Sequence, residues 1–185
     1  MARPGCSPGA SGSATPAARP RDPRLEPAQL LDIARWKLWS DPAATEAVYA
    51  GIDVGGCDRC GCDACFNFAQ ARHLCFGTDW IDLLEWLGVD PLLESEVVHR
   101  GPGPAGGHLY SGWFHLVGEI ESGPRRNEGR SGSIDSRHLV DVGGGLQVAF
   151  SCDRRLAPAA FDPYPVVELE FALEAPWVCD LPEPS

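Results

Sequence analysis

No run of apolar residues in the 185-residue chain approaches the roughly 18 needed for a membrane-spanning helix, so no helical span is expected. Residues 1–20 lack the apolar core of a secretory signal. Their Ala/Ser-rich, arginine-bearing composition has some character of an organelle transit peptide, but six prolines by Pro27 would break the amphipathic helix such a peptide needs. A disordered tail over 1–24 and a cytoplasmic location are the expectations. Recognisable catalytic signatures are also missing, with no G-x-S-x-G, no H-E-x-x-H and no P-loop. Gly143-Gly144-Gly145 is no phosphate cradle, because Leu146, Val148 and Phe150 lead onward into a strand pattern rather than a helix.

Positive charge is scarce. The net charge is −11, and the first 24 residues hold four arginines against one aspartate, or +3, leaving −14 for the rest. An acidic body repels phosphate backbones, which argues against nucleic acid as a partner. A protein or small molecule is the expected partner class. The distal histidine pair of a C2H2 finger is absent as well.

Cysteine is abundant and unevenly placed. Four of the eight cysteines, Cys57, Cys60, Cys62 and Cys65, fall within nine positions as C-x2-C-x-C-x2-C. Thiolates are soft ligands for zinc and iron-sulfur clusters, and in a reducing compartment such spacing points to metal more than to disulfides. Four sulfurs about 2.3 Å from one zinc sit only about 3.8 Å apart, so the turn must wrap closely, with bends at Gly55, Gly56 and Gly61. Three of these thiolates plus one distant group, His115, Cys152 or Cys179, form a less crowded alternative. Along a helix, His73 and Cys75 would lie about 12 and 15 Å from Cys65 and cannot join the same ion.

The pattern predicts an α+β fold, with N-terminal helices and the cysteine-rich turn packed on a C-terminal antiparallel sheet of about four to five strands. One domain over 25–185 is expected, helical and cysteine-rich over 25–90 and β over 95–180. Leu30, Leu31, Ile33, Ala34 and Leu38 suggest a helix from Pro27 to Asp41. Residues 46–53 lean toward a strand. Helices are predicted over 64–75, behind Asp63, and from Thr78 or Asp79 to Gly88. An extended segment follows at 96–99, then strands over 108–121, a hairpin over 140–152 and a strand over 166–174. The loop 122–137, with Arg125, Arg126, Arg130 and Arg137, is expected to be solvated. Trp113, His115 and Glu119 alternate on one face of 108–121, read as an exposed face that could instead line a pocket. Glu168, Glu170 and Glu174 are expected to point to water.

Functionally, the reading is a small binding or interaction module with a structural zinc. Alternatives are a metal-dependent hydrolase or thiol redox enzyme that joins the cysteine turn to His115 and Glu119, and an iron-sulfur carrier.

Overall fold

The computed structural model describes residues 28–124, 139–154 and 156–184. The expected tail and most of the arginine-rich loop lie outside these residues. Among the described residues, seven strands and four α-helices make a mixed α+β fold. The strands are β1 (Gln29–Ile33), β2 (Trp36–Ser40), β3 (Glu96–Pro102), β4 (His108–Ser122), β5 (Val140–Gly143), β6 (Leu146–Ser151) and β7 (Val166–Ala175). The helices are α1 (Pro42–Tyr49), α2 (Gly56–Arg59), α3 (Asp63–Cys75) and α4 (Thr78–Trp86). The sheet is antiparallel, in the order β1-β2-β4-β7-β6-β5, with β3 pairing β4 as well. Among the described residues no helix is long and apolar enough to cross a membrane.

The strand count exceeds the expected four to five because the first predicted helix is a β-hairpin. Ile33 pairs with Trp36 across a two-residue turn, and Ala34 takes φ +52° there. That left-handed conformation usually calls for glycine or asparagine, so the sequence carries no turn signal. Buried Leu31 and Ile33 and buried Trp36 and Leu38 each alternate with period 2. The turn shifts the phase between the two pairs, and their combined spacing imitates a helical stripe.

Residues 46–53, read as a strand, form the second half of α1 and the turn and loop that follow it. Asp41 caps that helix, its Oδ1 accepting from the Ala44 amide at 2.9 Å, with Pro42 at its start. The helix fills a split in the sheet. One edge of β4 pairs with β3 over 108–113 and with β2 over 118–122. In the gap, the Asp41 amide donates to the Val117 carbonyl (3.0 Å), and the Val117 amide donates to Thr45 Oγ1 (3.0 Å). The Tyr49 hydroxyl donates to the His115 carbonyl (3.0 Å) and accepts from the His115 amide (3.2 Å). Side chains thereby satisfy backbone groups that no strand reaches. Gly88 ends the α4 region at φ +74°, and a Cβ there would stand 2.1 Å from the Pro42 carbonyl oxygen, so only glycine lets α1 approach.

Removing the Tyr49 hydroxyl leaves a buried N–H and a buried C=O without that partner. Tyr49→Phe is expected to cost about 2 kcal/mol in urea denaturation. Wild-type stability in that variant would show that the hydroxyl does not hold α1 in the gap.

One face of the sheet carries Tyr110, Phe114, Leu169 and Phe171, against which α3 packs Phe68; Phe76, just beyond α3, joins the same ring cluster. The sheet curls, since Trp36 on β2 and Phe150 on β6, three strands apart in order, bring their rings to 5.5 Å. The opposite face is covered too. Trp113, His115 and Val117 are buried, and so are Glu168 and Glu170, the cross-strand partners of His115 and Trp113. The expected exposed aromatic face and outward glutamate row are therefore corrected. The polar/apolar alternation is the same in a half-wet strand, and the cover comes from distant chain, including Phe161 against the His115 ring at 6.1 Å.

Candidate metal centre

The cysteine turn lies between α2 and α3, and backbone bonds hold it. The Gly56 amide donates to the Glu94 carbonyl at 2.6 Å, joining the turn to the segment that leads into β3. A Cβ at Gly56 would meet the Ser95 carbonyl oxygen and Glu96 Cα at 2.7 Å, so this approach needs glycine. Cys60 caps the end of α2, Cys62 sits at the N-cap of α3, and Cys65 lies in the first turn of α3.

Cys60, Cys62 and Cys65 place their sulfurs within 4.8 Å of one another, with Cys60 Sγ and Cys62 Sγ 3.4 Å apart. This cluster could hold a metal ion. Its electrostatics are divided. The Cys62 thiol is held below its usual pKa, first by the Cys65 amide at the α3 N-terminus and further by the Cys60 and Cys65 thiols and the Ala64 amide. The Cys65 thiol is pushed up by burial and then by hydrogen bonding and charge from Cys60 and Cys62. Three sulfurs this close compete for negative charge, and a soft cation relieves that competition.

Cys57 lines the same cleft as Cys60 and Cys62 but lies outside the group of three sulfurs. Its sulfur accepts from Arg72 Nη1 at 3.3 Å, and its amide donates to Glu94 Oε1 at 3.3 Å. Arg72 also donates to both Glu94 oxygens (3.3 and 3.2 Å) and to Asp58 Oδ2 (3.2 Å). Cys57, Asp58 and Glu94 do form a second group of closely spaced potential ligands, but the Arg72 guanidinium already supplies its positive charge. Burial pushes the Cys57 thiol up, and the Glu94 carboxylate pushes it further.

Among the described residues, His115 and Glu119 join no group of closely spaced ligand atoms with the cysteines. Tyr110, whose hydroxyl donates to the Ala64 carbonyl at 3.1 Å, lies near the turn, whereas His115, five residues along β4, projects from the other face. The His115 Nδ1 is hydrogen-bonded to the Ser95 hydroxyl at 2.7 Å, and Nε2 lies 3.8 Å from Glu168 Oε2, too long for a hydrogen bond. Sequence reasoning did not identify Arg72, Glu94, Asn67 or Tyr110 as parts of the site. Nor did it find the chain in which His99 Nε2 meets His108 Nδ1 at 2.8 Å and His108 Nε2 meets Glu183 Oε1 at 2.9 Å. No local spacing could reveal these, because each joins separate elements.

Burial holds the His115 imidazole at about 4, below its ordinary value, even though Asp153 favours the charged form; Arg154 opposes it. With the folded value below the unfolded one, stability is fully present above about 6.5 and is lost as pH falls toward 4, by about 3 kcal/mol. NMR should show this ring still neutral at pH 5, and His115→Gln should flatten the corresponding part of the acid-stability profile. A His115 titration near 6.5 would overturn the expectation.

Comparisons with protein-family models, curated proteins and solved structures find no match for this chain.

Proposed function

We propose that Cys60, Cys62 and Cys65 hold one zinc ion and that the metal-bound turn is the structural centre of a small binding module. The observation that carries this reading is the convergence of three sulfurs within 4.8 Å at the start of a helix packed into the core. Cys65 is buried and Cys62 exposed, so the ion would sit at the boundary between core and solvent. A cleft of about 380 Å³ beside the turn is lined by residues that include Cys60, Cys62, Asp58, Asp63 and Phe66. Its carboxylates support a protein or small-molecule partner and disfavour a phosphate backbone.

Metal analysis of the purified full-length protein tests the reading. One zinc per chain, lost in the Cys60→Ser/Cys62→Ser variant, is the expected result, and a metal-free protein would remove it. A brown protein with visible absorption would instead assign an iron-sulfur cluster.

A second reading is a thiol redox pair. It is favoured by the exposure of Cys62, its lowered pKa and its C-x2-C spacing to Cys65. Rapid alkylation of Cys62 at pH 7 in the presence of excess zinc would favour this reading over the metal.

A further inference from the structure

We infer that the fourth ligand of the proposed zinc site is Cys179, carried to the turn by the C-terminal segment after β7, and that Cys57 is not a ligand. This rests on the three-cysteine metal reading above. Three thiolates leave one tetrahedral vertex, and a closed structural site fills it from protein.

Cys57 is committed elsewhere. Its sulfur accepts from Arg72, and its amide is bonded to Glu94, which is fully buried. Moving that sulfur to the metal would strip Arg72 of a partner in a site where charges are already paired.

Cys179 is differently placed. It is buried, like Cys57 and Cys65 and unlike Cys152, the other cysteine of the described C-terminal half. Asn67, two residues beyond Cys65 on α3, anchors the segment: its Oδ1 accepts from the Val178 amide (2.6 Å) and the Cys179 amide (3.3 Å), and its Nδ2 donates to the Pro176 carbonyl (3.0 Å). The same Nδ2 donates to the Tyr110 hydroxyl at 3.3 Å, and that hydroxyl donates to the carbonyl preceding Cys65. Cys179 is thus joined to the start of α3 by a continuous series of hydrogen bonds.

Two residues on, Leu181 lines the cleft together with Cys57, Cys60 and Cys62, and its carbonyl accepts from Trp177 Nε1 at 2.9 Å, curling the segment around Cys179. The Cys179 sulfur lies outside the 4.8 Å group formed by the other three. Beyond Ala175 the segment pairs with no strand and is held through side chains, so it can close the remaining gap without breaking the sheet. Ligation would fasten the end of β7 to the start of α3.

X-ray absorption of the zinc-loaded full-length protein counts the sulfurs. Four at about 2.3 Å are expected in wild type and in Cys57→Ser, and three plus one lighter atom at about 2.0 Å in Cys179→Ser. Zinc affinity in Cys179→Ser should fall by more than about 100-fold, because loss of even an outer partner costs about 10- to 100-fold. Three sulfurs in wild type, or three in Cys57→Ser, would overturn the inference while leaving the three-cysteine site in place, and neither result depends on how Cys179→Ser folds. A wild-type protein that takes up no zinc would instead remove the metal reading itself.

Discussion

With the proposed zinc in the cysteine turn, stripping it with a chelator is expected to lower the melting temperature by roughly 8–16 °C. A ligand present at about 1,000 times its Kd and bound only to the folded state stabilises by about 4 kcal/mol. In a chain of this size each kcal/mol corresponds to about 2–4 °C. The effect should be global rather than confined to the turn. Cys57 and Cys65 are both part of the buried core, and α3 carries Phe68, fully buried, against Phe76, Tyr110 and Phe171. The turn itself has little regular structure, since α2 is four residues long and no side-chain bond caps α2 or α3. Without a cation its three sulfurs face one another at the end of a helix, which favours opening. Re-addition of zinc should restore the melting temperature. Cys65→Ser should melt with the chelated protein and show no response to chelator. An unchanged melting temperature on chelation, at zinc saturation confirmed beforehand, would show that the metal is not structural.

Periodicity made legible those elements that present one clear face to one neighbour. The patterns over 108–121, 140–152 and 166–174 read as strands from their alternation, and 64–75 and 78–88 as helices from their length and flanking residues, although Phe66 and Leu74 of the first helix are exposed. The N-terminal hairpin was not legible, because Ala34 adopts a positive φ that the sequence gives no glycine to announce. The burial of Glu168 and Glu170 was not legible either, since alternation states which residues share a face and not whether that face is covered. At the cysteine turn, spacing drew attention to Cys57, Cys60, Cys62 and Cys65, of which the last three converge. The separate placement of Cys57 depends on Arg72, 15 residues away, and Glu94, 37 residues away, a relation that only the fold creates.

That same Arg72 carries the other large expected effect. Arg72→Met should destabilise the protein by about 3–5 kcal/mol, the range for removing one partner of a buried ion pair. The Glu94 side chain has no exposure and Arg72 Nη1 lies 3.2 Å from Glu94 Oε2, so the substitution leaves a carboxylate in the core without its cation, beside the Cys57 amide and thiol and its own backbone amide. In the native protein Glu94 is already held above its ordinary pKa by burial, against the lowering supplied by Cys57 and Arg72. Losing the guanidinium raises it further. A folded pKa above the unfolded one means that the folded protein keeps a proton the unfolded chain releases, so stability declines as pH rises from about 4.5 toward the folded value. Arg72→Met should therefore lose more stability between pH 5 and pH 8 than wild type does. Replacing Glu94 as well tests the cause: Glu94→Gln keeps an acceptor for the Cys57 amide and removes the charge, so the double variant should recover much of the loss and its pH dependence. If the double variant is as unstable as Arg72→Met and equally pH-dependent, the buried charge is not the source of the loss, and the packing of the Arg72 stem against the cysteine turn is.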